Sequence, residues 1–280
     1  MFQGEDTGMD AIITAGGDGS RGDPLYDLTG VEKKALIPLS GRPMIRWVAE
    51  ALLNSGLVDN LVIVGLKPDD TGLKAESIHY IDAVGGMIDN ILAALDKVKQ
   101  VNPTAQKVLL CSSDIPLITP EIVRGFVVEC GSQEADVYYA VVEEKTLEAR
   151  FPVSKRTFIP FKGGRYSGGD LFLIDVRVPD KTDLALFRSL TGSRKNYWNQ
   201  VRLLGFSFII RFLLGLMTVH DAAKRGSQIF NFEARVVITK FAELGMDLDK
   251  PHQYDMIKAE LEKLQGHVSE IQTSRESNIL

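Results

Sequence analysis

The sequence predicts a three-layer α/β/α sandwich with a mainly parallel sheet, and three observations carry that prediction. Short β-rich runs, apolar almost throughout, recur along the first 145 residues. Segments with apolar residues at helical spacing lie between them. Proline and glycine mark where those helices start and stop. Runs that are apolar throughout suit strands covered on both faces, and their alternation with helices implies parallel crossover connections.

In order, Ala11–Thr14 reads as the first strand. A helix over 43–54 places Ile45, Val48, Ala49, Leu52 and Leu53 on one stripe, with Pro43 in its first turn and Gly56 at its stop. Leu61–Leu66, Val108–Ser112 and Val137–Val142 are the next strands. Ile88–Val98 is a helix between them, and Pro120–Val128 is another, capped by Thr119. From about Lys145 the alternation breaks down. Tyr166-Ser-Gly-Gly-Asp leads into a strand at Leu171–Val176, and a helical, very apolar stretch runs from Asp183 to Arg225. Arg235–Thr239 is a further strand and His252–Gln265 a closing helix, with Tyr254, Ile257, Leu261 and Leu264 on its apolar face. The expected organisation is a single domain, 1–280. Its core is about 10–180 and 231–265, a helical insertion occupies about 181–230, and a polar, frayed tail covers 266–280.

Composition limits the function. Of 280 residues, 45% are hydrophobic and 25% charged, as in ordinary globular proteins rather than disordered or collagen-like chains. Lys and Arg total 32 against 37 Asp and Glu, a net charge of -5 that offers no basic face for nucleic acid. The two cysteines, Cys111 and Cys130, form no CxxC, which argues against a zinc site or disulfide framework. Met1–Asp10 is acidic and lacks the features of a signal peptide, so a cytoplasmic protein is expected.

The strongest signal comes directly after the first strand, where Ala15, Gly16, Gly17, Gly19, Ser20, Arg21 and Gly22 form a glycine-rich loop. Such glycines let backbone N–H groups approach phosphate oxygens without an intervening side chain. No Lys-Ser or Lys-Thr comes next, which excludes a P-loop. Gly17-x-Gly19-x-x-Gly22 matches the dinucleotide fingerprint in letter. That fingerprint should open a helix at once and meet an acidic residue at the end of the second strand, whereas Asp23-Pro24 and a polar stretch follow here and the second strand ends Val64-Gly65-Leu66-Lys67. A mere tight turn accounts for the glycines but not for the downstream segment Lys33-Lys34-Ala-Leu-Ile-Pro-Leu-Ser-Gly41-Arg-Pro43-Met44.

Loop, lysine and G-x-P-M together resemble the nucleotidyltransferase superfamily of GT-A type fold, around the molybdenum-cofactor guanylyltransferases and sugar-1-phosphate nucleotidyltransferases. The resemblance is good over 10–145, moderate over 166–176 and 235–265, and absent over 183–226. It implies transfer of a nucleoside monophosphate from a nucleoside triphosphate to a phosphorylated acceptor, with release of pyrophosphate. Arg21 would hold the triphosphate tail and Lys34 would bridge to the transferred group. A triphosphate carries about four negative charges, so positioned cations and N–H donors are the main catalytic resource.

Val108–Ser112 leads into Asp114-Ile-Pro116, which places Asp114 at the carboxyl end of a strand, where ligands of open α/β sheets bind. The resemblance makes Asp114 a magnesium ligand. Magnesium wants one or two carboxylates beside water and phosphate oxygens. The second is expected in Asp247-Leu-Asp249-Lys-Pro251, with Asp249 favoured by register over Asp247, and with an ordinary helix cap as the competing reading. By the same resemblance Asp82, Gly86 and Asn90 lie where the base is wrapped, and Tyr166, Gly168, Gly169 and Asp170 where the acceptor is lined. Plain loop residues and a strand bulge are the competing readings there.

The apolar stretch 203–219 has Arg211 in its middle, which costs a spanning helix about 2.5–3.5 kcal/mol, so no transmembrane span is expected. A buried helical pair or homodimer contact is one reading. Peripheral docking on an anionic membrane through 194–219 is another, because Arg194, Lys195, Tyr197, Trp198 and Arg202 flank it. Two other functions remain open: a GT-A glycosyltransferase, for which Ser112-Ser113-Asp114 lacks the first aspartate of a D-x-D motif, and a non-catalytic nucleotide-binding regulator.

Overall fold

The computed structural model describes residues 8–186, 188 and 206–277. Its sheet holds β1 (Met9–Thr14), β4 (Val58–Val64), β5 (Ile78–Ile81), β6 (Lys107–Ser112), β7 (Val137–Glu143), β8 (Ile159–Phe161), β9 (Gly164–Asp175) and β10 (Ala234–Thr239). β2 (Pro38–Leu39) and β3 (Arg42–Pro43) form a separate small ribbon. The order across the sheet is β5-β4-β1-β6-β9-β7-β10, with β8 hairpinned onto β9. β9 runs antiparallel to both neighbours, and the other pairs along this path are parallel.

Alternate residues of β1 explain its unbroken apolar run. Ala11 and Ile13 pack towards α2 (Met44–Leu53) and α5 (Pro120–Cys130) with Ile45, Val48, Leu52 and Phe126. Ile12 faces the other way, onto Ala94, Leu95 and Val98 of α4 (Met87–Val101). These side chains are fully or almost fully buried, and the larger ones, such as Ile12, Leu52 and Phe126, each contribute about 1.5–3 kcal/mol of transfer free energy. Thr119 caps α5 as expected, its side chain accepting from Ile122 N at 3.3 Å, with Pro120 in the first turn.

Several elements depart from the sequence expectation. Strand β9 begins at Gly164, so the Tyr166–Asp170 segment lies inside it rather than ahead of it. The reason is register. Tyr139 pairs with Phe172 but Val141 pairs with Gly168, so β9 carries extra residues in a bulge around Gly169 and Asp170. Helix α1 (Pro24–Thr29), capped by Asp23, follows the glycine loop where the sequence reads as a polar stretch, and short helices α3 (Pro68–Thr71) and α6 (Glu144–Arg150) occupy segments where the sequence reading assigns no element. The C-terminal helix, α10, runs from Pro251 to Ser277, so the supposed frayed tail continues the helix.

In the inserted region, α7 (Val178–Lys181), α8 (Phe206–Leu213) and α9 (Val219–Phe230) are helical. Val219 of α9 packs on Val141 and Tyr166, covering the β9–β7 part of the sheet. The basic and aromatic flank, Arg194–Arg202, lies outside the described residues, and of the expected 194–219 docking segment only 206–219 is described. Among the described residues no helix is long and apolar enough to cross a membrane.

Candidate active site

Strand exits meet at the carboxyl edge of the parallel strands. Ala15 N donates to Val64 O at 2.9 Å and Ser113 N to Thr14 O at 3.2 Å, which ties the ends of β4 and β6 to β1. The glycine loop then passes close to the end of β4. A Cβ on Gly65, whose φ is +93°, would lie 2.7 Å from Gly16 Cα, so only glycine fits there. The sequence reading missed Gly65, since its signal was a lone glycine at a strand end. Gly16, Gly17, Ser20 and Arg21 are exposed, Gly19 is half-buried and Ala15 is buried.

The chain returns beside the loop. Gly19 N donates to Glu32 O at 2.6 Å, Lys34 N to Gly17 O at 3.3 Å, and Asp18 bridges to Lys33. This clasp sends the adjacent lysines to different places. Lys33 Nζ donates to Gly65 O at 3.0 Å, bracing the loop. Lys34 Nζ reaches Asp114 Oδ2 at 2.6 Å and Asp249 Oδ1 at 2.5 Å.

Asp114 also accepts from Ser112 Oγ at 2.5 Å, and its backbone carbonyl accepts from Leu248 N at 2.9 Å. The second bond draws the 246–250 segment onto the strand end, so one oxygen each from Asp114, Asp247 and Asp249 lies within 4.8 Å of the others. A helix cap does not consume Asp249. Gln253, 1% exposed, accepts from Asp249 N and Lys250 N at 2.8 Å each, closing the start of α10 and leaving the Asp249 carboxylate exposed. Gln253 escaped the sequence reading because a glutamine inside a helix start has no distinctive pattern.

Charge in this corner is finely poised. Burial pulls the Lys34 ammonium down, but Asp114 and Asp249 more than offset it and raise it above the ordinary lysine range. Burial, and then the nearby Asp114, push the Asp170 carboxyl up to about 7. Asp247 pairs with Arg156, another residue that no motif marked.

The structure sorts the remaining expected residues. Asp82 and Gly86 are exposed on the loop before α4. Asn90 is buried, with Oδ1 accepting from Val84 N at 2.8 Å and Nδ2 donating to Gly85 O at 3.3 Å, so its amide holds that loop in shape. A Cβ on Gly16 would lie 3.2 Å from Asn90 Nδ2, which places this loop against the glycine loop. Of the four residues expected to line the acceptor, Asp170 alone feels the charges of Asp114, Asp249 and Lys34. Tyr166 is 9% exposed and packs with Val141, Phe161 and Val219. A Cβ on Gly168 or Gly169 would strike Tyr139 or Ala140, so these glycines serve close strand packing at the bulge.

The three clustered aspartates form an all-carboxylate set, and hard oxygen donors of this kind suit magnesium rather than zinc. Lys34 and Arg156 compensate their charge.

Comparison with known proteins finds relatives over part of the chain. "Bifunctional protein GlmU" from Sorangium cellulosum is 26% identical over 155 residues, 50% of this chain and 30% of that protein. A 3-deoxy-manno-octulosonate cytidylyltransferase from Synechococcus elongatus is 27% identical over 97 residues, 34% of this chain and 38% of that protein. The chain thus spans well under half the length of these relatives. A solved structure described as a hypothetical transferase from Thermus thermophilus is 34% identical, with TM-score 0.76, covering 89% of this chain and all of that one. The MobA-like NTP transferase domain matches residues 11–169, more than half of the chain, and the chain belongs to that family.

Proposed function

We propose that this protein transfers a nucleoside monophosphate from a nucleoside triphosphate to a phosphorylated acceptor and releases pyrophosphate. The observation that carries the reading is the meeting of glycine loop, Lys34, Asp114 and Asp249 at one sheet edge, from segments far apart in sequence. The similarity to a cytidylyltransferase supports the same reaction class.

In the reaction, an acceptor phosphate oxygen attacks the α-phosphorus. A P–O bond forms there, and the bond to the β-phosphate oxygen breaks, with its electrons leaving on pyrophosphate. The nucleophile is already anionic, so no general base is needed. Loop N–H groups between Gly16 and Ser20, other than that of Gly19, which is taken by Glu32 O, together with Arg21 hold the β- and γ-phosphates. Lys34 sits where charge develops on the α-phosphate, and fixed donors aimed at developing charge are the largest catalytic contribution in such reactions. Asp114 and Asp249, with Asp247 beside them, would hold magnesium, which when bound supplies charge neutralisation between the phosphates. Asp82 and Gly86 line the base side, with Asn90 shaping their loop, and Asp170 faces the acceptor side.

Melting curves with ATP, GTP, CTP and UTP, with and without magnesium, test the reading on wild type and Asp114→Ala. One triphosphate at about 100 times its dissociation constant should stabilise the wild type by roughly 2.7 kcal/mol in magnesium, and the variant should lose that shift. Pyrophosphate release against a panel of sugar and alcohol phosphates then identifies the acceptor. Nucleotide binding with no pyrophosphate release from any acceptor would instead favour a regulator.

A further inference from the structure

The loop between α6 and β8 delivers a cation whose surroundings are incomplete. Phe151 and Ser154 are buried there, and Ser154 O pairs with His252 Nε2 at 3.0 Å, fastening the loop to the start of α10. The next residue, Lys155, has φ +49°, a left-handed conformation that lysine adopts only where the surroundings impose it. That bend turns Arg156 inward. Its side chain is 15% exposed and Nη1 lies against Asp247 Oδ1, yet among the described residues neither that oxygen nor Nε, both buried, has a hydrogen-bond partner. Its charge is felt by Asp170 and by the Tyr139 hydroxyl.

These facts conflict with a purely structural salt bridge. A guanidinium carries five N–H donors in a planar fork suited to two oxygens of one oxyanion, and a buried unmet donor is costly. Asp247, its partner, is also one of the three carboxylates that converge with Asp114 and Asp249. A divalent cation taking an oxygen of Asp247 would draw that carboxylate's charge away from Arg156. Once displaced, Arg156 would be a buried cation with an open Nε edge, beside the place where the acceptor must lie.

We propose that Arg156 binds the anionic group of the acceptor and is held in reserve on Asp247 until a divalent cation releases it. The proposal rests on the nucleotidyl-transfer reading and deepens it. Cation binding and acceptor binding become coupled, and the acceptor must present a phosphate-like oxyanion to the released fork.

Manganese titrations of the full chain, followed by electron paramagnetic resonance at pH 8 without nucleotide, test the competition. Arg156→Gln should bind Mn2+ roughly tenfold more tightly than wild type, within the usual range of site-to-site coupling. Unchanged or weaker binding by the folded variant overturns the proposal. Calorimetric titration of inorganic phosphate into Mn2+-saturated protein should show binding weakened about tenfold in Arg156→Gln and partly recovered in Arg156→Lys. Equal phosphate affinity in wild type and Arg156→Gln also overturns it. Asp247→Asn approaches from the other side and covers the case in which Arg156→Gln does not fold. With Arg156 freed, phosphate should bind several-fold more tightly without Mn2+, and no change overturns the proposal. Asp114→Ala separates the layers: wild-type Mn2+ affinity in that variant defeats the metal assignment beneath the proposal.

Discussion

Asp10 and Asp114 sit near opposite ends of the same parallel strands, and they are satisfied in different ways. Asp10, at the start of β1, is fully buried and accepts from Asn60 Nδ2 and Asn102 Nδ2 at 2.8 Å each. Asp114, just beyond β6, accepts from Ser112 Oγ and from an ammonium that it shares with Asp249. The amide donors are neutral, and that of Asn102 is itself fixed by Thr104, whose N and Oγ1 donate to Asn102 Oδ1. The ammonium is mobile on a four-carbon stem and can be replaced by another cation. A carboxylate held by exchangeable partners is available for chemistry, whereas one held by fixed neutral donors serves the fold.

The largest effect that could break this contrast is on turnover. Asp114→Ala should lower pyrophosphate release at least ~10²-fold, as loss of one preorganised stabiliser does. Its unfolding free energy should move by less than about 1 kcal/mol, because Asp249 still pairs with Lys34. A small loss of rate in steady-state assays would end the comparison. Asp10→Ala should do the opposite. It removes two hydrogen bonds to a buried charge and should cost about 2–3 kcal/mol in urea unfolding, with kcat/KM of the folded protein unchanged. Gly65→Ala lies between the two. Its Cβ would overlap the Gly16 backbone, so both stability, by about 1–2 kcal/mol, and KM for the triphosphate should suffer.

The smallest effect concerns acid. Burial raises the Asp136 carboxyl, but Lys181 Nζ at 2.5 Å and Glu233 N at 2.8 Å outweigh it and hold it below the usual range. A depressed carboxyl contributes stability above its unfolded value near 3.9, and that contribution is lost as pH falls through the folded value. Asp136→Asn should therefore be less stable than wild type by under about 1 kcal/mol at pH 6, with the gap closing in acid unfolding curves as pH falls through the depressed folded value.

The parts of the site legible in the sequence were those fixed by neighbours in the chain. The glycine loop, Lys34 and Asp114 each sit in a short motif whose spacing carries the chemistry. Asp249 was legible because it directly precedes a helix that begins at Pro251. Arg156 was hidden, since its importance comes from Asp247, ninety-one positions away, and from a backbone bend at Lys155. Tyr166, Gly168 and Gly169 carry a related ambiguity. Two glycines before an apolar run look the same whether they line a pocket or let a bulged strand approach Tyr139 and Ala140. Strand order was equally invisible, because no local pattern says that β9 enters between β6 and β7 in the reverse direction.

The reversed strand has a consequence during synthesis. A ribosome delivers β6 and β7 before β9, so these two strands wait, unpaired with each other, for the wedge that joins them. The carboxylates of Asp247 and Asp249 emerge later still. A nascent chain of some two hundred residues already carries its phosphate loop and Lys34, yet lacks two of the three clustered acids. Domains fold largely as units once their parts are present. The three clustered acids therefore come together only after the 246–250 segment has been made.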